Sequence, residues 1–248
     1  MHRFFVEPSQ LLTDRLVLSG PEAHHCLGVL RHEEGDRVVV FDGQGNEATA
    51  QILSTNRREA ELRILHRAKS APLACRITLA QAVPKGRNMD LIIEKAVELG
   101  AAAIAPLLSE RTVVQLDSAE AQAKQEKWQT IAREACKQCG QNWLPKVSTP
   151  VSPRVFFEQH KPSGLMLIGS LQADSRPIKQ TIAEYSEQHG RPKEVTVFIG
   201  PEGDFTPAEL SLAKSHGCLP VTLGPIILRT ETAAIYCLSV LGHELFAE

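Results

Sequence analysis

Hydrophobic and polar positions fall into two regimes along this chain. In the first seventy residues short runs alternate with turn signals: Arg3–Val6, Arg15–Leu18, Arg37–Phe41, Ala48–Leu53 and Ala60–Leu65 are β-branched or alternating. A period of two predicts half-buried strands, and Asp42-Gly-Gln-Gly-Asn46 reads as the glycine-rich turn between two of them. One helix interrupts, opening after Ser19-Gly20 with Pro21 in its first turn and running to about Leu30. Short strands with a single helix predict a small β-barrel over residues 1–70.

After the linker Lys69-Ser-Ala-Pro-Leu73 the pattern changes. Arg76–Val83, Ala101–Leu108, Leu165–Ile168, Val195–Ile199 and Pro220–Leu223 are apolar without polar alternation, and helical periods separate them. Continuous apolar strands alternating with helices predict a parallel sheet covered on both faces, an α/β domain over residues 71–248. Asn88 is expected to cap a helix to Leu99, Asp117 or Ser118 to open a long one to about Gln138, and Ser152-Pro153 a short one. A further helix carries Ile178, Ile182 and Tyr185, and the last opens at Thr230 or Glu231. Thr206-Pro-Ala-Glu209 has the form of a capping box, with Pro207 at the first helical position.

Composition narrows the function classes. The 248 residues carry 27 Lys/Arg against 29 Asp/Glu, a formal charge of −2, so no global basic field marks a nucleic-acid binder and local patches must do that work. Residues 1–70 hold nine basic and ten acidic residues, yet Arg57, Arg58, Arg63, His66, Arg67 and Lys69 crowd their final stretch and Arg31-His32 ends the helix. That clustering fits either a phosphate-binding face or a strand edge kept soluble by charge. No apolar run reaches the length of a membrane span and no secretory leader opens the chain, which predicts a cytoplasmic protein. The six cysteines are scattered, Cys136-Lys-Gln-Cys139 lacks a second close pair, and the histidines are dispersed, so reduced thiols and no metal are expected.

Three of the apolar strands end in glycine, at Gly169, Gly200 and Gly224. In an open parallel sheet ligands sit beyond the carboxyl ends of strands, where glycine lets backbone approach the ligand and helix starts offer free amides. Gly200-Pro-Glu-Gly203 and Leu223-Gly224 are expected to enclose a flat group such as adenine, with Glu202, Asp204, Arg229, Thr230, Glu231 and Thr232 at the same end. Neither a Gly-x-Gly-x-x-Gly fingerprint nor a phosphate loop occurs, which argues against a dinucleotide or nucleoside triphosphate, and no Gly-x-Ser-x-Gly elbow suggests a hydrolase.

Phe198-Ile-Gly-Pro-Glu-Gly203, Leu223-Gly224 and Leu228-Arg-Thr-Glu-Thr-Ala233 closely resemble the signatures of bacterial ribosomal RNA methyltransferase E, the uracil-N3 methyltransferases of small-subunit ribosomal RNA in the SPOUT class. The resemblance extends to Arg3-Phe-Phe5, His24 with Val29-Leu-Arg31, Lys85-Gly86, Lys95-Ala-Val-Glu-Leu-Gly100 and Glu110-Arg111, and so spans both domains. It implies a PUA-like barrel, a SPOUT domain whose chain is threaded into a trefoil knot, S-adenosylmethionine as cofactor, ribosomal RNA or the small ribosomal subunit as partner, and a homodimer. Carried over by position, Gly169, Ile199, Gly200, Glu202, Gly203, Leu223, Gly224, Leu228, Thr230 and Thr232 bind the cofactor. Arg229 and Glu231 face the reaction, with Glu202 a further catalytic candidate, and Arg3, Arg31, Arg57, Arg58, Arg67, Lys85 and Arg87 are the candidates for RNA. The chain departs from many relatives at Asp204 (glycine), Ile226 (arginine) and Gln141 (arginine).

N3 of uracil carries a proton and is a poor nucleophile until it leaves. The expected roles follow: Arg229 stabilises negative charge on a uracil oxygen, while Glu231 or Glu202 assists proton loss directly or through water. Two rival readings stand beside this one, a related enzyme acting at another RNA position and an RNA-binding assembly factor that keeps the cofactor pocket without catalysis.

Overall fold

The structure is a computed structural model, described here over residues 1–159 and 163–246. The chain divides into two compact units, Met1–Pro72 together with Arg133–Leu144, and Leu73–Ala132 together with the described residues from Pro145 on.

In the first unit β1 (Arg3–Phe5) is followed by a 3-10 turn (Pro8–Leu12), β2 (Arg15–Leu18), α1 (Gly20–Ala23), β3 (Arg37–Phe41), β4 (Asn46–Thr55) and β5 (Ala60–Lys69). Their sheet runs β1-β3-β4-β5-β2, antiparallel except for the β1–β3 pair. All five strands turn alternate side chains into one core, among them Phe4, Leu16, Leu18, Val38, Val40, Ile52 and Leu62. β2 pairs with β5 only over Ala60–Arg63, so the basic stretch from His66 to Lys69 is laddered on its β4 side alone.

The expected helix to Leu30 departs from regularity. After α1 the chain widens into a π-helix over His24–Val29, closed by Leu30 N–H donating to His25 O at 2.9 Å. The wide turn keeps Ala23, Cys26, Leu27 and Leu30 against the core, and the His24 ring lies over Gly28, 3.1 Å from where a Cβ would stand. Arg31 follows in left-handed backbone at φ 55°.

Residues 133–144 are bound to this unit by Trp143, whose Nε1 donates to Ser70 O at 3.1 Å, and by Asn142, whose Nδ2 donates to Ser70 Oγ at 2.8 Å. Gly45 is required in the expected turn: at φ 90°, a Cβ there would fall 2.6 Å from the Trp143 ring.

The second unit is built from β6 (Arg76–Ala82), α2 (Asn88–Glu98), β7 (Ala103–Leu107), the start of α3 (Ser118–Cys139), β8 (Lys146–Val147), α4 (Pro153–Gln159), β9 (Leu165–Gly169), β10 (Arg176–Pro177), α5 (Ile178–His189), β11 (Glu194–Ile199), α6 (Pro207–Ser215), β12 (Leu219–Thr222) and α7 (Thr230–Phe246). The sheet is parallel throughout, in the order β10-β12-β9-β11-β6-β7-β8. One face packs Ala80, Ala82, Leu107, Ile168 and Phe198 under Phe156 and Phe157 of α4 and Leu210 and Ala213 of α6. α7 lies along β6 and β11 and against α2.

Two local expectations change. Asn88 is the first residue of α2 rather than its cap; Arg87 holds the cap position without a side-chain bond, because the turn closes through Asp90 N–H to Arg87 O at 3.0 Å. The two-residue strands β8 and β10 are too short to leave a periodic signal. Cys136 is buried, its thiol pushed up to about 12 by that burial, and Cys139 is exposed; both are free. Among the described residues no His, Cys, Asp and Glu group is arranged to hold a metal, and no helix is long and apolar enough to cross a membrane.

Candidate methyl-donor site

Because β9, β11 and β12 are neighbours in the order β12-β9-β11, their glycine-ended loops open side by side at one edge of the sheet. They enclose a cavity of about 310 Å³.

The loop after β11 is fastened from several directions. Asp204 N–H donates to Pro201 O at 2.9 Å, closing a turn that holds Asp204 at φ 60°. Left-handed backbone disfavours most L residues and suits Gly, Asn and Asp, so aspartate is tolerated at this turn. Its Oδ1 accepts from Phe205 N–H at 2.7 Å, and the Phe205 ring is buried in the core. The capping box forms in full, with Glu209 N–H donating to Thr206 Oγ1 at 3.3 Å and Thr206 N–H to Glu209 Oε2 at 2.9 Å. The second oxygen of the buried Glu209 accepts Glu110 N–H at 2.9 Å, which ties α6 to the loop after β7. Glu202 Oε1 accepts Lys85 N–H at 3.0 Å, and Arg111 Nη1 donates to Gly203 O at 2.7 Å.

The loop after β12 is different. Residues 223–229 belong to neither strand nor helix, so no ladder consumes their amides and carbonyls, and Ile226 and Ile227 are about three-quarters exposed, 74% and 75%. α7 then begins at the buried Thr230, whose Oγ1 donates to Gly200 O at 2.7 Å. Fully buried Gln81, on β6, donates to that same Thr230 Oγ1 at 2.9 Å. The third wall, after β9, is closed by Ser170 N–H to Val221 O at 3.0 Å.

The residues expected at the cofactor separate into two groups. Gly169, Ile199, Gly200, Glu202, Leu223, Gly224, Leu228 and Thr230 line the cavity, as do Asp204 and Arg229. Gly203 lies against the aliphatic chain of Arg111, whose Cδ is 3.4 Å from where its Cβ would be; Thr232 is exposed on α7, and Glu231 sits in the first helical turn, all three outside the lining. Arg229 is exposed at the cavity, whereas Glu202 already has one oxygen engaged. Sequence reasoning passed over Ser170 and Ala233, which also line the cavity, and Gln81 behind it. The available signal for Gln81 was a polar residue inside an apolar strand.

The RNA candidates divide as well. Arg3 is drawn inward: its guanidinium pairs with Glu47 at 2.9 Å, bonds Asn142 and lies over the Phe41 ring, with only 14% of the side chain exposed. Arg67 is held by Leu11 O, Thr13 O and Asp14. Arg31, Arg57, Arg58, Lys85 and Arg87 are exposed and form no ion pair among the described residues.

Comparison with known proteins agrees with this architecture. Residues 71–242 match the RNA methyltransferase domain family and residues 18–65 the RNA methyltransferase PUA domain. Ribosomal RNA small subunit methyltransferase E of a Synechocystis strain is 35% identical, over 96% of this chain and 76% of its own; that of Bacillus subtilis is 28% identical over 98% and 97%. Among solved structures, a putative methyltransferase of Legionella pneumophila with bound cofactor SAM superposes with a TM-score of 0.86 at 35% identity, covering 98% of this chain and 97% of that one. A ribosomal RNA small subunit methyltransferase E of Neisseria gonorrhoeae bound to S-adenosyl methionine gives 0.85 at 31% identity, over 97% and 96%. With the glycine-loop cavity in a parallel sheet and near full-length similarity to these proteins, this chain belongs to the ribosomal RNA small subunit methyltransferase E family.

Proposed function

We propose that the protein transfers a methyl group from S-adenosylmethionine to N3 of a uridine in small-subunit ribosomal RNA, with residues 71–248 carrying the chemistry and residues 1–70 holding RNA. The observation that carries this reading is the cavity of about 310 Å³ enclosed by three glycine-ended loops, in a chain similar to two solved proteins that hold that cofactor. The lining suits such a ligand. At Gly200 a Cβ would crowd Asp204 Oδ1 at 3.2 Å and Phe205 at 3.3 Å, so backbone alone forms that wall. The unladdered loop 223–229 would offer main-chain donors and acceptors to an adenine edge, with Ile199, Leu223 and Leu228 as the apolar lining that would cover the ring. The trefoil threading of the α/β unit is part of the same proposal.

S-adenosylmethionine, when bound, supplies an electrophilic methyl group. Arg229, exposed at the cavity, holds the uracil oxygen on which negative charge grows as the N3 proton leaves. The proton passes to a carboxylate, either Glu231 at the start of α7 or the oxygen of Glu202 that Lys85 leaves free, directly or through water. Arg229→Ala is expected to lower turnover by about 100-fold, as removing one oxyanion donor does, with cofactor affinity measured separately by titration calorimetry. Glu231→Gln and Glu202→Gln separate the two bases. Unchanged turnover in Arg229→Ala and Glu231→Gln would sink the assignment of roles, and cofactor binding without methyl transfer to undermodified small subunits would mark a binding factor instead.

RNA is held by exposed cations, Arg31, Arg57 and Arg58 in the first unit and Lys85 and Arg87 in the second. Removing Arg57 and Arg58 together is expected to reduce the salt slope of RNA affinity by about 2, one for each phosphate contact, without changing cofactor binding. The protein works in the cytoplasm as a homodimer. Support for the dimer is a groove between α5 and α7 that presents the exposed Tyr236 beside the half-buried Val240; Tyr236→Asp is expected to shift the mass measured by light scattering to that of a monomer.

A further inference from the structure

Gln81 stands where the fold asks for an apolar side chain. It follows Ile77 and Leu79 on one face of β6, all three fully buried, opposite Ile199 of β11 and Pro106 of β7. Its Nε2 uses both hydrogens, one on Ala82 O and one on Thr230 Oγ1, each at 2.9 Å. Thr230 Oγ1 passes its own hydrogen to Gly200 O at 2.7 Å. Gln81 Oε1 is buried with no partner among the described residues. The amide cannot be reversed to relieve this, since its oxygen would then face the Ala82 carbonyl. A buried polar atom without a partner is unfavourable and calls for a compensating reason. Packing supplies none, because methionine fills nearly the same volume in the row Ile77–Leu79.

The chain Gln81–Thr230–Gly200 supplies one. Thr230 and Gly200 lie on two different walls of the cavity, and their single hydrogen bond fastens the first turn of α7 to the end of β11. A hydroxyl is free to rotate, and the Gln81 donor fixes it by occupying the lone pair that leaves the Thr230 hydrogen pointing at Gly200. We infer that Gln81 is a positioning residue for the methyl-donor cavity, acting through Thr230 to hold the two walls at one spacing. The inference rests on the reading of this cavity as the S-adenosylmethionine site.

The test is a double-mutant cycle in the full chain with Gln81→Met, Thr230→Val and the double variant, and with Thr230→Ser as the conservative control. Three quantities are read: the melting temperature of the ligand-free protein, the Kd for S-adenosylmethionine by calorimetry, and amide exchange at Gly200–Gly203 without ligand. Gln81→Met is expected to melt at or above the wild-type temperature, since the orphaned oxygen is gone. It is expected to bind S-adenosylmethionine about tenfold more weakly, the scale of one hydrogen bond, and to exchange faster at Gly200–Gly203. Thr230→Val shows the same loss, the double variant loses no more than either, and Thr230→Ser, which keeps the hydroxyl that bonds Gly200 O, loses less than Thr230→Val. Wild-type affinity in Gln81→Met, additive losses in the double variant, or a melting temperature that falls in step with affinity would each overturn the inference. Should Gln81→Met fail to fold, equal affinities of Thr230→Val and Thr230→Ser would overturn it alone. A wild-type protein that binds no S-adenosylmethionine defeats the reading of the cavity, and exchange in the ligand-free variants then still judges the clamp.

Discussion

The walls after β11 and after β12 begin from the same sequence device, an apolar strand running into glycine, and they become opposite structures. The first is crowded and fastened: Gly200 and Gly203 have neighbours at 3.2 and 3.4 Å from where a Cβ would be, and Lys85, Arg111, Glu110 and Thr230 all bond to this wall or the helix after it. Gly224 has nothing within 4 Å and is needed for its backbone angle, φ 117°, and the loop beyond it exposes two isoleucines. A glycine that admits close approach and a glycine that admits an unusual φ are different instructions written with one letter. The site therefore pairs a preorganised wall with one that has surface left to bury.

Breaking the fastened wall should produce the largest effect. Glu209→Ala removes the acceptor of both Thr206 N–H and Glu110 N–H in a buried place, and is expected to destabilise the protein by about 2–4 kcal/mol. For a chain of this size that lowers the melting temperature by roughly 5–12 °C, measurable by scanning calorimetry. A wild-type melting curve in Glu209→Ala would show that the ties are incidental.

At the other wall, Gly224→Ala meets open space but an angle that alanine rarely adopts. The expected strain is about 1–2 kcal/mol, within the range for such outliers, and it appears as weaker cofactor binding if the loop relaxes to a new shape. Replacing Ile226 and Ile227 together by serine should leave stability within about 0.5 kcal/mol, as exposed positions do. Its signature lies in binding: the heat-capacity change on taking up S-adenosylmethionine becomes less negative, because less apolar surface leaves water. An unchanged heat capacity would mean that the two side chains stay exposed when the cavity fills.

How far the sequence speaks follows the reach of the interactions. The apolar strands, the parallel α/β unit and both bonds of the Thr206–Glu209 capping box were legible, because periodicity and capping act within a few residues. The glycine ends located the cavity for the same reason. What was not legible depends on partners far along the chain. Gln81 meets Thr230 across 149 positions, and the second oxygen of Glu209 meets Glu110 across 99. Arg3 reads from the sequence as an RNA candidate, whereas its guanidinium is shared by Asn142, 139 residues away. The π-turn at His24–Val29 was hidden because its apolar spacing mimics a regular helix.

A small stability change is expected at Asp204 as well, and there the balance of effects can be worked out. The left-handed φ of 60° is more comfortable for glycine, which favours Asp204→Gly. Against it stand the lost bond from Phe205 N–H to Oδ1 at 2.7 Å and the greater freedom of glycine in the unfolded chain. These oppose one another at similar size, so stability should stay within about 0.5 kcal/mol of wild type. Binding is where the variant becomes informative, since Asp204 lines the cavity with a carboxylate beside the bonded one of Glu202. A negative charge there favours a cationic donor over a neutral product, so Asp204→Gly should weaken S-adenosylmethionine several-fold and leave S-adenosylhomocysteine, which lacks the sulfonium charge, unchanged. Equal weakening of both would assign Asp204 to the shape of the fastened wall, and the contrast between the two walls would then rest on hydrogen bonds with no part played by charge.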